Sequence, residues 1–224
     1  MRPFIRTIET LELDGGALCL DFVNSVQSRF EHPRLDFLAT AGDWLIWLRR
    51  TQLCGKAEET ILHQYILKNW EKAGKELVKI VWTRELLYRI FRALARKEKP
   101  SDEDLRRFNK VLSRAFSHME LTMDNTTTVS RIWNHEPAGL VWTLYPVIYS
   151  AYELLVPGEM DRIKECPNCG WLFIDRTRNN RRTWCNMKTC GNTVKGKKYY
   201  DKKKTLMKTS RRTFITGAYM SNNK

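Results

Sequence analysis

Cys166-Pro167-Asn168-Cys169-Gly170 and Cys185-Asn186-Met187-Lys188-Thr189-Cys190-Gly191, with fifteen residues between Cys169 and Cys185, decide how this chain is read. The spacing is C-x2-C followed by C-x4-C: four thiols in two close pairs, about a short hairpin apart. Such a set suits a tetrahedral Zn²⁺ held as four thiolates, each pair wrapping the ion from a tight turn. Gly170 and Gly191 follow the second Cys of each pair and permit the backbone conformations those turns need. The competing reading is two disulfides or four unrelated buried thiols. Met1-Arg2-Pro3-Phe4-Ile5-Arg6 lacks the long apolar region of a signal peptide, and no run of about 18 apolar residues could span a bilayer. The expected home is the cytoplasm, where thiols stay reduced and open to metal.

Charge divides the chain at the same place. Of its 39 Lys and Arg and 25 Asp and Glu, 17 and 3 lie from Arg162 onward, which leaves 22 of each in residues 1–161. The whole excess of +14 therefore sits with the paired cysteines. A neutral body joined to a compact cationic segment points to a polyanionic partner. The boundaries expected are a first domain over residues 1–160, a finger over 161–204 and a basic tail over 205–224.

The first domain reads as mainly helical with a small β component. Leu11 to Leu13 is expected as a short strand, broken by Asp14-Gly15-Gly16. Leu18, Cys19, Phe22, Val23 and Val26 make a helical apolar face, with a strand through Leu18, Leu20 and Phe22 as the alternative. Asp21 and Asn24 interrupt that stripe. They are either solvated, locally bonded groups or members of a pocket for a small-molecule effector. Residues 27–38 read as loop. Thr40-Ala41-Gly42-Asp43 resembles a helix N-cap, with Gly55 expected at the helix end. A helix from Glu58 to about Trp70 and a longer one to about Lys97 follow, then one capped by Ser101 and running to about Phe116. His118–Met123 and Thr127–Trp133 flank Asp124-Asn125-Thr126 as a β-hairpin. A last helix is expected from Pro137 through Leu155, bent at Pro146 and ended by Pro157-Gly158.

Cys19 and Cys54 stand in apolar patterns and read as inert buried thiols. His32, His63, His118 and His135 form no hydrolase motif, and no P-loop, dinucleotide glycine signature or nucleophile elbow is present. Four thiolate ligands would close the coordination sphere of a single structural zinc. The expectation is therefore a non-enzyme.

Inside the finger, Trp171-Leu172-Phe173-Ile174-Asp175 reads as a strand covering one side of the metal. A basic helix follows the fourth cysteine. So small a module has little core, so metal would supply most of its folding free energy. The stretch Cys-x2-Cys-Gly-Trp-Leu-Phe-Ile-Asp…Arg-Arg-Thr-Trp-Cys-x-Met-x-x-Cys-Gly-Asn resembles the CGNR-type zinc finger. Gly15-Gly16-Ala17-Leu18-Cys19-Leu20-Asp21-Phe22-Val23-Asn24-Ser25-Val26 looks like the opening motif of the ABATE domain, which precedes that finger in a family of stress-induced transcription regulators. The resemblance implies zinc on Cys166, Cys169, Cys185 and Cys190, DNA binding by the finger, and sensing or regulation by the first domain. One departure stands out: the signature Cys-Gly-Asn-Arg is Cys190-Gly191-Asn192-Thr193 here, so a short neutral side chain replaces a cation.

The leading expectation is duplex DNA binding, with phosphate contacts from Arg176, Arg178, Arg181, Arg182, Lys195, Lys197, Lys198, Lys202, Lys203 and Lys204. RNA binding is the first alternative. Trp171, Phe173, Trp184, Tyr199 and Tyr200 lie among the cations, the mixture that stacks unpaired bases. A protein-interaction module stapled by zinc is the second. No membrane partner and no coiled-coil dimer pattern is evident. The fold class expected is α+β: a mainly helical domain followed by a four-cysteine zinc finger with a basic C-terminal helix.

Overall fold

Leu18–Val23 forms α1, and burial on every side decides helix over strand there: Cys19, Leu20, Phe22 and Val23 are all buried. The computed structural model describes residues 7–123, 128–134, 139–156 and 159–204. Within them α2 spans Ala41–Arg50, α3 Lys56–Lys68, α4 Trp70–Ala95, α5 Asp102–Phe116 and α6 Tyr145–Leu155. Two antiparallel hairpins complete the fold, β1 (Met119–Met123) with β2 (Val129–Trp133) and β3 (Ile163–Glu165) with β4 (Leu172–Ile174). The α+β class, mainly helical, is as the sequence implied. The chain divides into two compact units, Met1–Cys185 and Asn186–Lys224.

Local chemistry explains the helix ends. Thr40 and Asp43 form a reciprocal capping box on α2, and the Ser101 hydroxyl accepts the Asp104 N–H at 3.1 Å on α5. Gly55 differs from expectation: it precedes α3 rather than closing α2, which ends at Arg50. Gly74 lies inside α4 without ending it, because the helix is fixed by buried neighbours such as Ala73, Leu77 and Ile80. Pro146 lies in the first turn of α6, where its missing N–H leaves no gap, so the helix begins there instead of bending. The expected strand at Leu11–Leu13 is absent. The Arg50 guanidinium donates to the Ile8 and Leu11 carbonyls and takes the place of a partner strand. Pro137, the hairpin turn at Asp124-Asn125-Thr126, Pro157-Gly158 and residues 205–224 lie outside the described residues.

The core centres on Phe22, Trp44 and Trp47. The two indoles stack at 4.9 Å, with the Phe22 ring 5.5 Å from each. Trp44 Nε1 donates to the Thr143 hydroxyl at 2.8 Å, tying α2 to the 3-10 turn Val141–Leu144 before α6. Burying a side chain such as Phe22 or Leu48 contributes roughly 1.5–3 kcal/mol, which makes this cluster the main apolar support of the unit.

A second support is ionic. Arg84, only 2% exposed, makes a bidentate pair with Asp36 at 2.7 and 2.6 Å and also bonds Glu85 and Ser25. Arg29 bonds Glu85 at 2.7 Å, donates to the Val23 carbonyl, and lies 3.9 Å over the Tyr88 ring. Burial opposes both cations, so each depends on its carboxylates. The network clasps residues 24–36, the loop that meets the first cysteine pair. No helix among the described residues is long and apolar enough to cross a membrane.

Candidate metal centre and basic segment

The first cysteine pair is built into the larger unit. β3 pairs with β4 in the register Ile163↔Ile174, Lys164↔Phe173, Glu165↔Leu172. The connecting turn is closed by Cys166 N–H to the Trp171 carbonyl and Gly170 N–H to the Cys166 carbonyl, both 2.8 Å. Gly170 has φ +73°, and a Cβ there would lie 2.6 Å from Arg29 Cβ, so conformation and space both require glycine.

Residues 24–29 strap this turn down. The Asn24 amide donates to the Leu172 carbonyl at 2.8 Å and accepts the Leu172 N–H at 2.9 Å, supplying both backbone bonds a neighbouring strand would give. Trp171 Nε1 donates to the Val26 carbonyl at 2.8 Å, and the Arg29 N–H donates to the Cys169 carbonyl at 2.7 Å. Glu165 receives Arg92 at 3.0 Å and Arg96 at 2.7 Å, fixing β3 to α4.

The connection to the third cysteine is ordered by Asp175, which is fully buried. Its carboxylate accepts Lys164 Nζ at 2.6 Å, the Thr177 hydroxyl at 2.6 Å and N–H at 2.9 Å, and the Arg182 N–H at 2.7 Å. Burial raises its pKa, but these four bonds outweigh that and hold the carboxyl well below the usual range. Lys164 also donates to the Asn180 carbonyl at 2.6 Å. The loop 176–182 is thereby clamped from inside, with Arg176, Arg178 and Arg181 exposed on it.

Past Cys185, the Asn186 side chain caps the next turn by accepting the Lys188 and Thr189 N–H groups at 2.8 and 3.3 Å. Met187–Gly191 is a widened, π-type turn, and it runs into a helix over residues 192–204. Thr193 donates back to the Thr189 carbonyl at 2.8 Å, so the residue in the family's Arg position bonds its own helix. Lys195, Lys198 and Lys202, spaced i, i+3, i+7, share one helix face. They are exposed, as are Lys197, Lys203 and Lys204.

The four sulfur atoms of Cys166, Cys169, Cys185 and Cys190 all lie within 4.8 Å of one another, and all four residues are buried. Cys169 Sγ and Cys185 Sγ are 3.6 Å apart, and none of the cysteines is in a disulfide. A zinc–sulfur bond of about 2.3 Å gives a tetrahedral edge of about 3.8 Å. The cluster thus has the size, the ligand type and the burial of a closed four-thiolate zinc site, and the disulfide alternative is not what the chain forms.

Several predicted residues have other work. Arg182 donates to the Trp184 carbonyl at 3.0 Å and to the Cys185 carbonyl, and it lies 4.6 Å over the Phe173 ring. It buttresses the loop instead of reaching outward. Arg176 bonds Glu159 at 3.1 Å on the surface. Trp171 and Phe173 are buried and cannot stack a base, whereas Tyr199 and Tyr200 are exposed. Asn24 serves Leu172, and Asp21 accepts the Gly15 N–H at 2.8 Å with its pKa raised by burial to about 6. Neither residue lines either described cleft of the larger unit. Burial pushes the Cys19 thiol up to about 12, which makes it inert. Sequence reasoning found Gly170 as the glycine the first knuckle needs, and its φ of +73° bears that out, but it missed Asp175 and Lys164 as organisers.

Two family models match in tandem. One, ABATE, described as "Putative stress-induced transcription regulator", covers residues 16–158, and the other, the CGNR zinc finger, covers residues 162–203. No curated protein matches the chain.

Proposed function

Since the chain belongs to the ABATE family, with a CGNR finger behind the family domain, we propose that it is a non-catalytic, zinc-dependent transcription regulator whose finger grips duplex DNA. It would work in the cytoplasm, where thiolates persist. The observation that carries this reading is the buried four-thiol cluster lying in the stretch that holds all the excess positive charge. The clamped loop offers Arg178 and Arg181 for phosphate, and the helix offers Lys195, Lys197, Lys198, Lys202, Lys203 and Lys204. Arg182 leaves the contact set because its guanidinium is occupied. Arg178 and Arg181 are the arginines best placed to reach a guanine edge.

The test is selection from a random duplex pool with zinc-loaded protein beside Cys185→Ser. The intact protein should enrich a motif that the variant does not. Affinity should fall steeply with salt, with a log–log slope of about −3 to −7 for this number of cations. A slope near zero, or equal enrichment by the variant, refutes the proposal. Exposed Tyr199 and Tyr200 support RNA as the second reading. Competition by single-stranded RNA that exceeds duplex DNA would favour it.

A further inference from the structure

Away from the finger, α4, α5 and the start of α6 enclose a cleft of about 560 Å³. Its walls are apolar: Trp82 from α4, Val111 from α5, Leu144 and Tyr145 from the α6 side. Trp82 is 42% exposed, an unusual place to leave an indole in water. Three cations also line the cleft, Lys79 one residue from Val78 on α4 and Lys110 and Arg114 one turn apart on α5. Among the described residues no carboxylate lines it. The Arg107 guanidinium, 5.9 Å from the Trp82 ring, is paired with Glu103. The Thr83 hydroxyl is spent on the Lys79 carbonyl at 2.9 Å.

Residues 1–161 are neutral overall, and the cations Arg29, Arg49, Arg84, Arg89, Arg92 and Arg96 each meet an acid. Lys79, Lys110 and Arg114 have no such partner among the described residues, and they surround the apolar cleft. We propose that this cleft binds a small amphipathic organic anion, its apolar body against Trp82 and Leu144 and its carboxylate, sulfate or phosphate between Lys79, Lys110 and Arg114. The volume is that of a small-molecule site, and the three cations select the charge. Its role as an effector site rests on the regulatory reading above; the measurement below needs no DNA and succeeds or fails independently of it.

The test is calorimetry on the full, zinc-loaded chain with decanoate, decanol and decyltrimethylammonium, each below its micellar concentration. Decanoate should bind with one-to-one stoichiometry and a Kd on the order of 10–100 µM, reasonable for a ligand of about a dozen heavy atoms. It should also shift the tryptophan emission, and Trp82→Phe should remove the shift. Lys79→Gln/Lys110→Gln/Arg114→Gln should weaken decanoate by about tenfold or more with unchanged Tm, since all three side chains are exposed. Val111→Trp, which fills the cleft, should abolish binding. Decanol binding as tightly as decanoate would overturn the proposal, as would a triple variant that binds like the parent. A concentration-dependent dimer broken by Trp82→Glu would overturn it too, by assigning the face to a second copy.

Discussion

The two cysteine pairs are held by different means. Cys166 and Cys169 sit on a hairpin whose edge is bonded by Asn24, Val26 and Arg29, residues some 140 positions earlier. The turn that carries Cys190 is shaped by short-range bonds, from the Lys188 and Thr189 N–H groups to the Asn186 side chain and from the Thr193 hydroxyl to the Thr189 carbonyl. A C-x2-C knuckle can thus belong to the core of the preceding domain, while of its C-x4-C counterpart Cys185 ends that unit and Cys190 lies in the separate compact unit that follows. Metal would then supply folding free energy unequally, little to the first pair and most to the turn that carries Cys190.

Removing the metal is the strongest way to break that contrast. A chelator, or Cys190→Ser, should cost at least about a hundredfold in DNA affinity and melt residues 186–204, with binding energy being folding energy there. Amide hydrogen exchange should meanwhile leave β3–β4 and α4 protected. If the hairpin exchanges as fast as the helix, the two pairs are not different.

Gly170→Ala comes next. The positive φ and the 2.6 Å approach to Arg29 Cβ predict a loss of about 2–4 kcal/mol in urea unfolding of the larger unit. Asn24→Ala removes both partners of buried Leu172 backbone groups and should cost about 2–4 kcal/mol. Either loss seen without any change in zinc stoichiometry would confirm that the first knuckle stands on protein contacts. No loss would place its support in the metal.

Acid should loosen the arginine loop. The Asp175 pKa is depressed in the fold, so the stabilisation it gives is complete above its ordinary value of about 3.8 and is lost as the pH falls below that. Asp21 has the opposite sign. Its folded pKa of about 6 makes its stabilising contribution complete below about pH 4 and lost as the pH rises through 6. Asp175→Asn should flatten the acid limb of the stability curve below pH 4, and Asp21→Asn the slope between pH 4 and 6, both read by thermal unfolding across pH. The smallest effect expected is from Thr193→Arg, which frees a helix position from its Thr189 bond and offers one more cation. It should add about one to the magnitude of the salt slope, measured by fluorescence anisotropy on duplex DNA.

Much of this protein could be read from its residues in order. Cysteine spacing gave the metal cluster, the 22-to-22 balance followed by 17 against 3 located the charge, and Thr40 and Ser101 announced their helices. These are local signals, decided by neighbours a few positions away. What misled was also local. Leu11–Leu13 has strand-like residues, yet Arg50 occupies the Leu11 carbonyl; Pro146 looks like a bend, yet a helix starts there. Arg182 counts as a cation in the sequence, and only the fold shows its guanidinium spent on the Trp184 and Cys185 carbonyls.

By itself, then, the order of residues determined that four thiols would be available to one ion and that the positive charge would travel with them. Tertiary structure decided which cations remain outward, which aromatics are enclosed, and that Asn24 would serve as a strand's partner for Leu172. The physical reason is range. Ligand spacing and charge count are properties of a short stretch, whereas burial and hydrogen-bond partnership depend on what the distant chain brings alongside, and no window along the sequence contains both sides of that contact.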